Sequence, residues 1–124
     1  MTTPLARVRH YGSAHEGATH FWRQRLTGAA NAILAVGAVI VIVMAIGRPY
    51  AEVAALFSSP LVAALFVLLF VSAAIHMRIG MQVIVEDYVH NEAAKVVLLA
   101  ASTFFCVAVA AVAIVALVKL VAGV

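Results

Sequence analysis

The stretch "LVAALFVLLFVSAAIHMRIGMQVIV", Leu61 to Val85, decides the fold. It exceeds the roughly 20 apolar residues that a helix needs to cross a hydrocarbon core about 30 Å thick, and Arg78 is its only charged side chain. Two further runs of that character flank it, Leu26 to Ile46 and Val96 to Val118. Hydrophobic residues make up 66% of the 124 residues and charged residues 10%, with a mean hydropathy of +1.14. That leaves too little polar surface to cover a water-soluble chain of this length. The expected fold is an all-α membrane protein: three transmembrane helices with a short cytoplasmic N-terminal segment.

The organisation follows from where polarity interrupts these runs. Residues 1–25 form the N-terminal segment and residues 26–124 a three-helix domain, with spans at about 26–46, 61–85 and 96–118. "GRPY", Gly47 to Tyr50, should end the first helix through Gly and Pro chemistry. "SSP", Ser58 to Pro60, should start the second, with Ser as the cap and Pro in the first turn. The segments 47–60 and 86–95 read as the connecting loops. A polar stretch precedes the first apolar run and no small-residue cleavage pattern lies near it, so the N-terminus is expected to be retained. Cys106 lies in the middle of the third run, where it packs as a small apolar residue without an intrachain disulfide partner.

Cations set the expected orientation. Arg7, Arg9, Arg23 and Arg25 precede the first span and Lys95 follows the second, whereas the opposite side carries Arg48 and Lys119. The richer side reads as cytoplasmic, which places the N-terminus inside and Val124 outside. The net charge of +3 is explained by this bias and requires no nucleic acid.

The second run ends in "IHMRIGMQVIVEDYVH", Ile75 to His90, which places a His, an Arg, a Gly and an acid–Tyr pair in an otherwise apolar setting. At about 100° per residue, Ser72, His76 and Gly80 share one stripe, and Asp87 returns to within roughly 20° of it about 16 Å further along. Two readings fit His76. A neutral imidazole beside a glycine suits a flat cofactor, because the ring nitrogen can bind haem iron while Gly80 lets a macrocycle approach the backbone. Alternatively His76 bonds a hydroxyl or carbonyl of a neighbouring helix, and Gly80 permits close helix packing. Asp87 and Tyr88 stand where the helix meets water, either as an interfacial belt or as a site where the phenol donates to a ligand carbonyl. Arg78, about 200° around from His76, snorkels to headgroups or faces another partner and is assigned no ligand.

The pattern H-x-x-x-G-x-x-x-x-x-x-D-Y, carried by "HMRIGMQVIVEDY" from His76 to Tyr88, resembles the signature of the small hydrophobic membrane anchor of succinate dehydrogenase, its cytochrome b-type small subunit. "GATHFWRQRLTGAAN", Gly17 to Asn31, is similar to that family's entry into its first helix, especially in alphaproteobacterial versions. The resemblance implies that His76 is an axial ligand of a b-type haem whose other ligand is a His of the companion cytochrome b anchor subunit. Gly80 would pack against that haem, Arg25 and, more weakly, His20 would lie near its propionates, and Tyr88 with Asp87 would form the ubiquinone site. The remaining partners implied are the iron–sulfur and flavoprotein subunits, with membrane lipid around the helices.

The residues agree that a partner is needed. His10, His15, His20 and His90 lie in the N-terminal segment or the loop after the second span, so none is placed to supply a second axial imidazole. The chain has no dinucleotide fingerprint and no Cys cluster, so it is not expected to oxidise succinate itself. Its expected work is to hold haem and position quinone within succinate–ubiquinone oxidoreductase, in the tricarboxylic acid cycle and aerobic electron transport. An anchor of a quinol–fumarate reductase fits the same residues. A proton-coupled transporter is disfavoured because Glu16, Glu52, Glu86, Asp87 and Glu92 all lie at loops or ends. A helical scaffold protein would explain Gly28, Ala29 and Ala32 as close-contact positions and leave His76 unexplained.

Overall fold

The computed structural model describes residues 12–124, with side chains described from Gly17 onward. Arg7, Arg9 and His10 lie outside the described residues, as do the side chains of His15 and Glu16. Four helices account for almost all of the rest: α1 Gly12–Ala45, α2 Tyr50–Phe57, α3 Pro60–Tyr88 and α4 Glu92–Ala122. Among the described residues, three of them, α1 from Gly17 onward, α3 and α4, are long and apolar enough to cross a membrane. The all-α, three-span architecture read from the apolar runs is the one observed.

α3 and α4 overrun their apolar runs at both ends, and α1 overruns its own at the start. α1 begins well before Leu26, since polar helix formers such as Gln24 and Arg25 propagate a helix without being buried. It stops where expected. Gly47 takes a left-handed conformation with φ 74°, and the Arg48 N–H bonds back to the Ala45 carbonyl at 3.2 Å, the αL termination that glycine allows without a Cβ penalty. α3 carries through Glu86 and Asp87 to Tyr88, and α4 starts at Glu92 because Asn91 caps it, its side chain accepting from the Ala94 N–H at 3.0 Å. The expected 86–95 loop therefore shrinks to residues 89–91.

The 47–60 segment also differs from expectation. It contains α2, "YAEVAALF", where the apolar runs predict a loop. Its Ala and Leu content favours helix, and Glu52 sits in the first turn, 3.7 Å from the Arg48 guanidinium. Pro60 occupies the first turn of α3 as expected, but the preceding Ser59 makes no side-chain cap bond. The Ser58 hydroxyl turns back instead to the Ala54 carbonyl of α2 at 2.8 Å.

α3 is the central helix, packed against α1 on one side and α4 on the other, and α1 and α4 do not pack directly on each other. The buried core lies toward the α2 end, where Ala38, Val41, Phe66 and Leu117 come together beneath Phe57 and Leu65. Gly37 sits at the close approach of α1 and α3 there, where a Cβ would stand 2.6 Å from Leu65 Cδ1, the movable end of that side chain. Most other large apolar side chains face outward, Leu61, Ile33 and Phe104 among them. This is the arrangement expected where lipid or another apolar helix is the surroundings. Cys106 is buried at 2% exposure, as a small apolar packing residue should be.

Candidate functional site

The polar stripe of α3 faces α1. Ser72 donates to the Thr27 carbonyl at 3.3 Å, His76 Nδ1 lies 3.1 Å from Thr27 Oγ1, and a Cβ on Gly80 would stand 3.6 Å from Gln24 Nε2. The helical spacing of Ser72, His76 and Gly80 thus places all three against one complementary stripe of α1, formed by Gln24, Thr27 and Gly28. The shared stripe was legible in the spacing. Its partner was not.

His76 is exposed at neither extreme: it is half-buried and fits tightly against α1. Gly28 provides the room, since a Cβ there would come within 3.3 Å of His76 Cε1. Of the three small residues read as close-contact positions, Gly28 lies at this contact, while Ala29 and Ala32 are exposed. His76 Nδ1 is engaged by Thr27, and Nε2 makes no hydrogen bond among the described residues.

Beside the imidazole, in the gap that α1 and α4 leave over α3, lies a cavity of about 420 Å³. Its walls are largely apolar, with Ala73, Ala74, Ala110 and Ala113 keeping it open and Asn31 the polar exception apart from His76. Asn31 Oδ1 and Gln24 Oε1, roughly one turn to either side of Thr27, are buried without a hydrogen-bond partner among the described residues. A buried amide oxygen left unpaired costs about 1–3 kcal/mol. Two of them flanking an imidazole set this face apart from the plain apolar surface elsewhere.

Cations gather toward the N-terminal part of α1. His20 lines two neighbouring cavities, one shared with Arg23 and Arg78, the other with Gln24 and Arg25. The Arg25 guanidinium lies 4.4 Å from the Phe21 ring centroid, a cation–π contact that holds it along the helix. Arg78 donates from Nε to Thr103 Oγ1 of α4 at 3.3 Å, so an internal hydroxyl meets a charge that was expected to face headgroups or another partner.

Asp87 and Tyr88 form the exposed last turn of α3, with Tyr88 77% exposed. They are eleven and twelve residues beyond His76, about 16–18 Å along the helix axis. The fold therefore brings His76, Gly80, Gln24, Thr27 and Gly28 together and leaves the acid–Tyr pair at a separate end. Thr27 and Gln24 were missed in the sequence. The signal that could have found them was their α1 spacing with Asn31, at i, i+3 and i+7, a polar stripe entering an apolar span.

A residue set for a metal ion alone is not assembled: among the described residues, no three of His, Cys, Asp and Glu cluster. An imidazole with one ring nitrogen unengaged among the described residues, beside an apolar cavity, fits a haem, which would bring most of the iron's ligands itself.

Comparison with known proteins gives a family. The family model described as "Succinate dehydrogenase/Fumarate reductase transmembrane subunit" matches residues 1–117. A protein of Paracoccus denitrificans, "Succinate dehydrogenase hydrophobic membrane anchor subunit", is 30% identical over 118 residues, covering 95% of this chain and 91% of its own length. No solved structure matches the chain.

Proposed function

The chain belongs to the succinate dehydrogenase/fumarate reductase transmembrane subunit family, and from that premise we propose that it anchors a succinate–ubiquinone oxidoreductase, supplies one axial ligand to a b-type haem and helps form the quinone site. The carrying observation is His76: an imidazole within a membrane span, with Nδ1 engaged by Thr27 and Nε2 facing no hydrogen-bond partner among the described residues. An intramembrane ionisable residue is retained against a desolvation cost, and iron ligation by the neutral ring offsets it.

In this reading Nε2 of His76 would hold the haem iron together with a His of a companion cytochrome b anchor subunit. The haem, when bound, supplies one-electron redox capacity inside the membrane. Gly80 keeps the neighbouring turn free of side chain, and Arg25 supplies positive charge, with His20 beside it as a hydrogen-bond donor, for propionates at the end of α1 where cations gather. Tyr88 donates its hydroxyl to a quinone carbonyl, and Asp87 beside it shapes the entrance. Electrons arrive from a flavoprotein through an iron–sulfur protein that docks on the cytoplasmic side, where the N-terminal segment and the 89–91 connection both lie. The name of the Paracoccus relative favours succinate oxidation over fumarate reduction.

The test is His76→Leu in the intact complex. It removes the imidazole that lines the apolar cavity over α3, so the bis-imidazole spectrum should be lost or become high-spin. An unchanged low-spin spectrum would remove His76 from the iron.

A further inference from the structure

We infer that Thr27 and Gly28 of α1 form a seat that fixes the tautomer and orientation of His76, with Thr27 as a positioning residue that leaves Nε2 as the ligating atom. The inference rests on the haem reading above and deepens it.

The proton count at Thr27 decides the tautomer. A threonine hydroxyl has one hydrogen and two acceptor lone pairs. Thr27 Oγ1 is 2.6 Å from the Arg23 carbonyl, the short i−4 bond that a helical threonine makes, and 3.3 Å from the Gln24 carbonyl. Its hydrogen is committed to its own helix, and the oxygen can offer His76 only a lone pair. The 3.1 Å contact with Nδ1 is then favourable when Nδ1 carries the hydrogen. In neutral imidazole that leaves the lone pair on Nε2.

The opposite tautomer would set the Nδ1 lone pair against the Thr27 oxygen, or require Thr27 to abandon the Arg23 carbonyl. Either change forfeits a hydrogen bond inside an apolar span, leaving a polar group there without its partner. Gly28 completes the seat by sterics. With no Cβ, it lets the ring lie close against α1, where a methyl would press on Cε1 at 3.3 Å. Ser72, which donates to the Thr27 carbonyl, ties the same turn of α1 to α3 one turn earlier. A ligating histidine whose second nitrogen donates to a fixed acceptor is held in orientation and made a stronger base toward the metal.

The experiment compares Thr27→Val, Thr27→Ser and Gly28→Ala in the purified complex, reading haem content, the reduction potential of the haem and its low-spin electron paramagnetic resonance. Thr27→Val keeps the shape and deletes the acceptor. The ring then loses its orienting bond and some basicity, so the potential should rise and the low-spin signal shift or broaden. Thr27→Ser keeps the acceptor and should stay close to wild type in both readouts.

Wild-type potential and resonance in Thr27→Val would overturn the seat while leaving His76 as ligand. Equal shifts in the Val and Ser variants would overturn it too, because the effect would then belong to packing. Where Thr27→Val does not assemble, Gly28→Ala decides: the hydroxyl remains but the ring must move by a few tenths of an ångström, so an unaltered resonance overturns the proposal. Wild-type complex without haem would overturn the haem reading itself, and the seat with it.

Discussion

Tyr88 offers the sharpest single-atom contrast on this chain. Its ring stands 77% exposed at the last turn of α3, where an aromatic residue anchors a helix at the membrane surface whether or not its hydroxyl does chemistry. Tyr88→Phe keeps the ring and deletes the donor. A role in polarising a quinone carbonyl as negative charge develops predicts a loss of quinone reduction of about ten-fold or more, or roughly 1.4 kcal/mol and above. Succinate oxidation with an artificial acceptor that takes electrons before the quinone should survive in the same variant. Wild-type quinone reduction with wild-type inhibitor sensitivity would withdraw Tyr88 from the site. The sequence singles out His76 and Tyr88 because each is a polar group in or beside an apolar run, where polarity is costly. Thr27 stayed hidden because its importance is a contact across 49 positions, and a threonine in a span is ordinary until its hydroxyl is seen against an imidazole.

Helix interiors were easier to read than helix ends. Apolar content reports which residues lie in hydrocarbon, and a helix continues past that zone until a cap or a glycine stops it. That is why α3 reaches Tyr88, α4 begins directly after Asn91 and α1 extends far upstream of Leu26, whereas the Gly47 stop was legible. α2 was missed because an eight-residue helix is too short to register as a span and sits between two turn signals that read as loop. Packing between elements also turns on single positions. At Gly37 a Cβ would meet the far end of the Leu65 side chain at 2.6 Å, and that methyl can rotate aside. Gly37→Ala should therefore be tolerated, while Gly37→Ile should force α1 and α3 apart at an overpacking cost of about 1–3 kcal/mol. Thermal unfolding of the detergent-solubilised complex checks this, with a lower midpoint expected for Ile than for Ala. Equal midpoints in the two variants would mean that the helices are not held this closely.

For the molecule as a whole, a central helix flanked by two others leaves both the gap beside His76 and most large apolar side chains open to neighbours. This is the surface of a chain that works among others, and composition alone already placed it in a membrane. The cation distribution predicts orientation: a reporter fused at the N-terminus should be cytoplasmic, and one after Val124 should be exported. Both on one side would contradict three crossings. We propose that this chain holds one side of a b-type haem in a respiratory complex. This is tested most directly by the dithionite-reduced minus air-oxidised visible spectrum of the complex purified through a tag on this chain. A reduced b-type band is expected, in a complex that also carries flavin and iron–sulfur subunits. A complex that assembles with those subunits and shows no such band would contradict the claim.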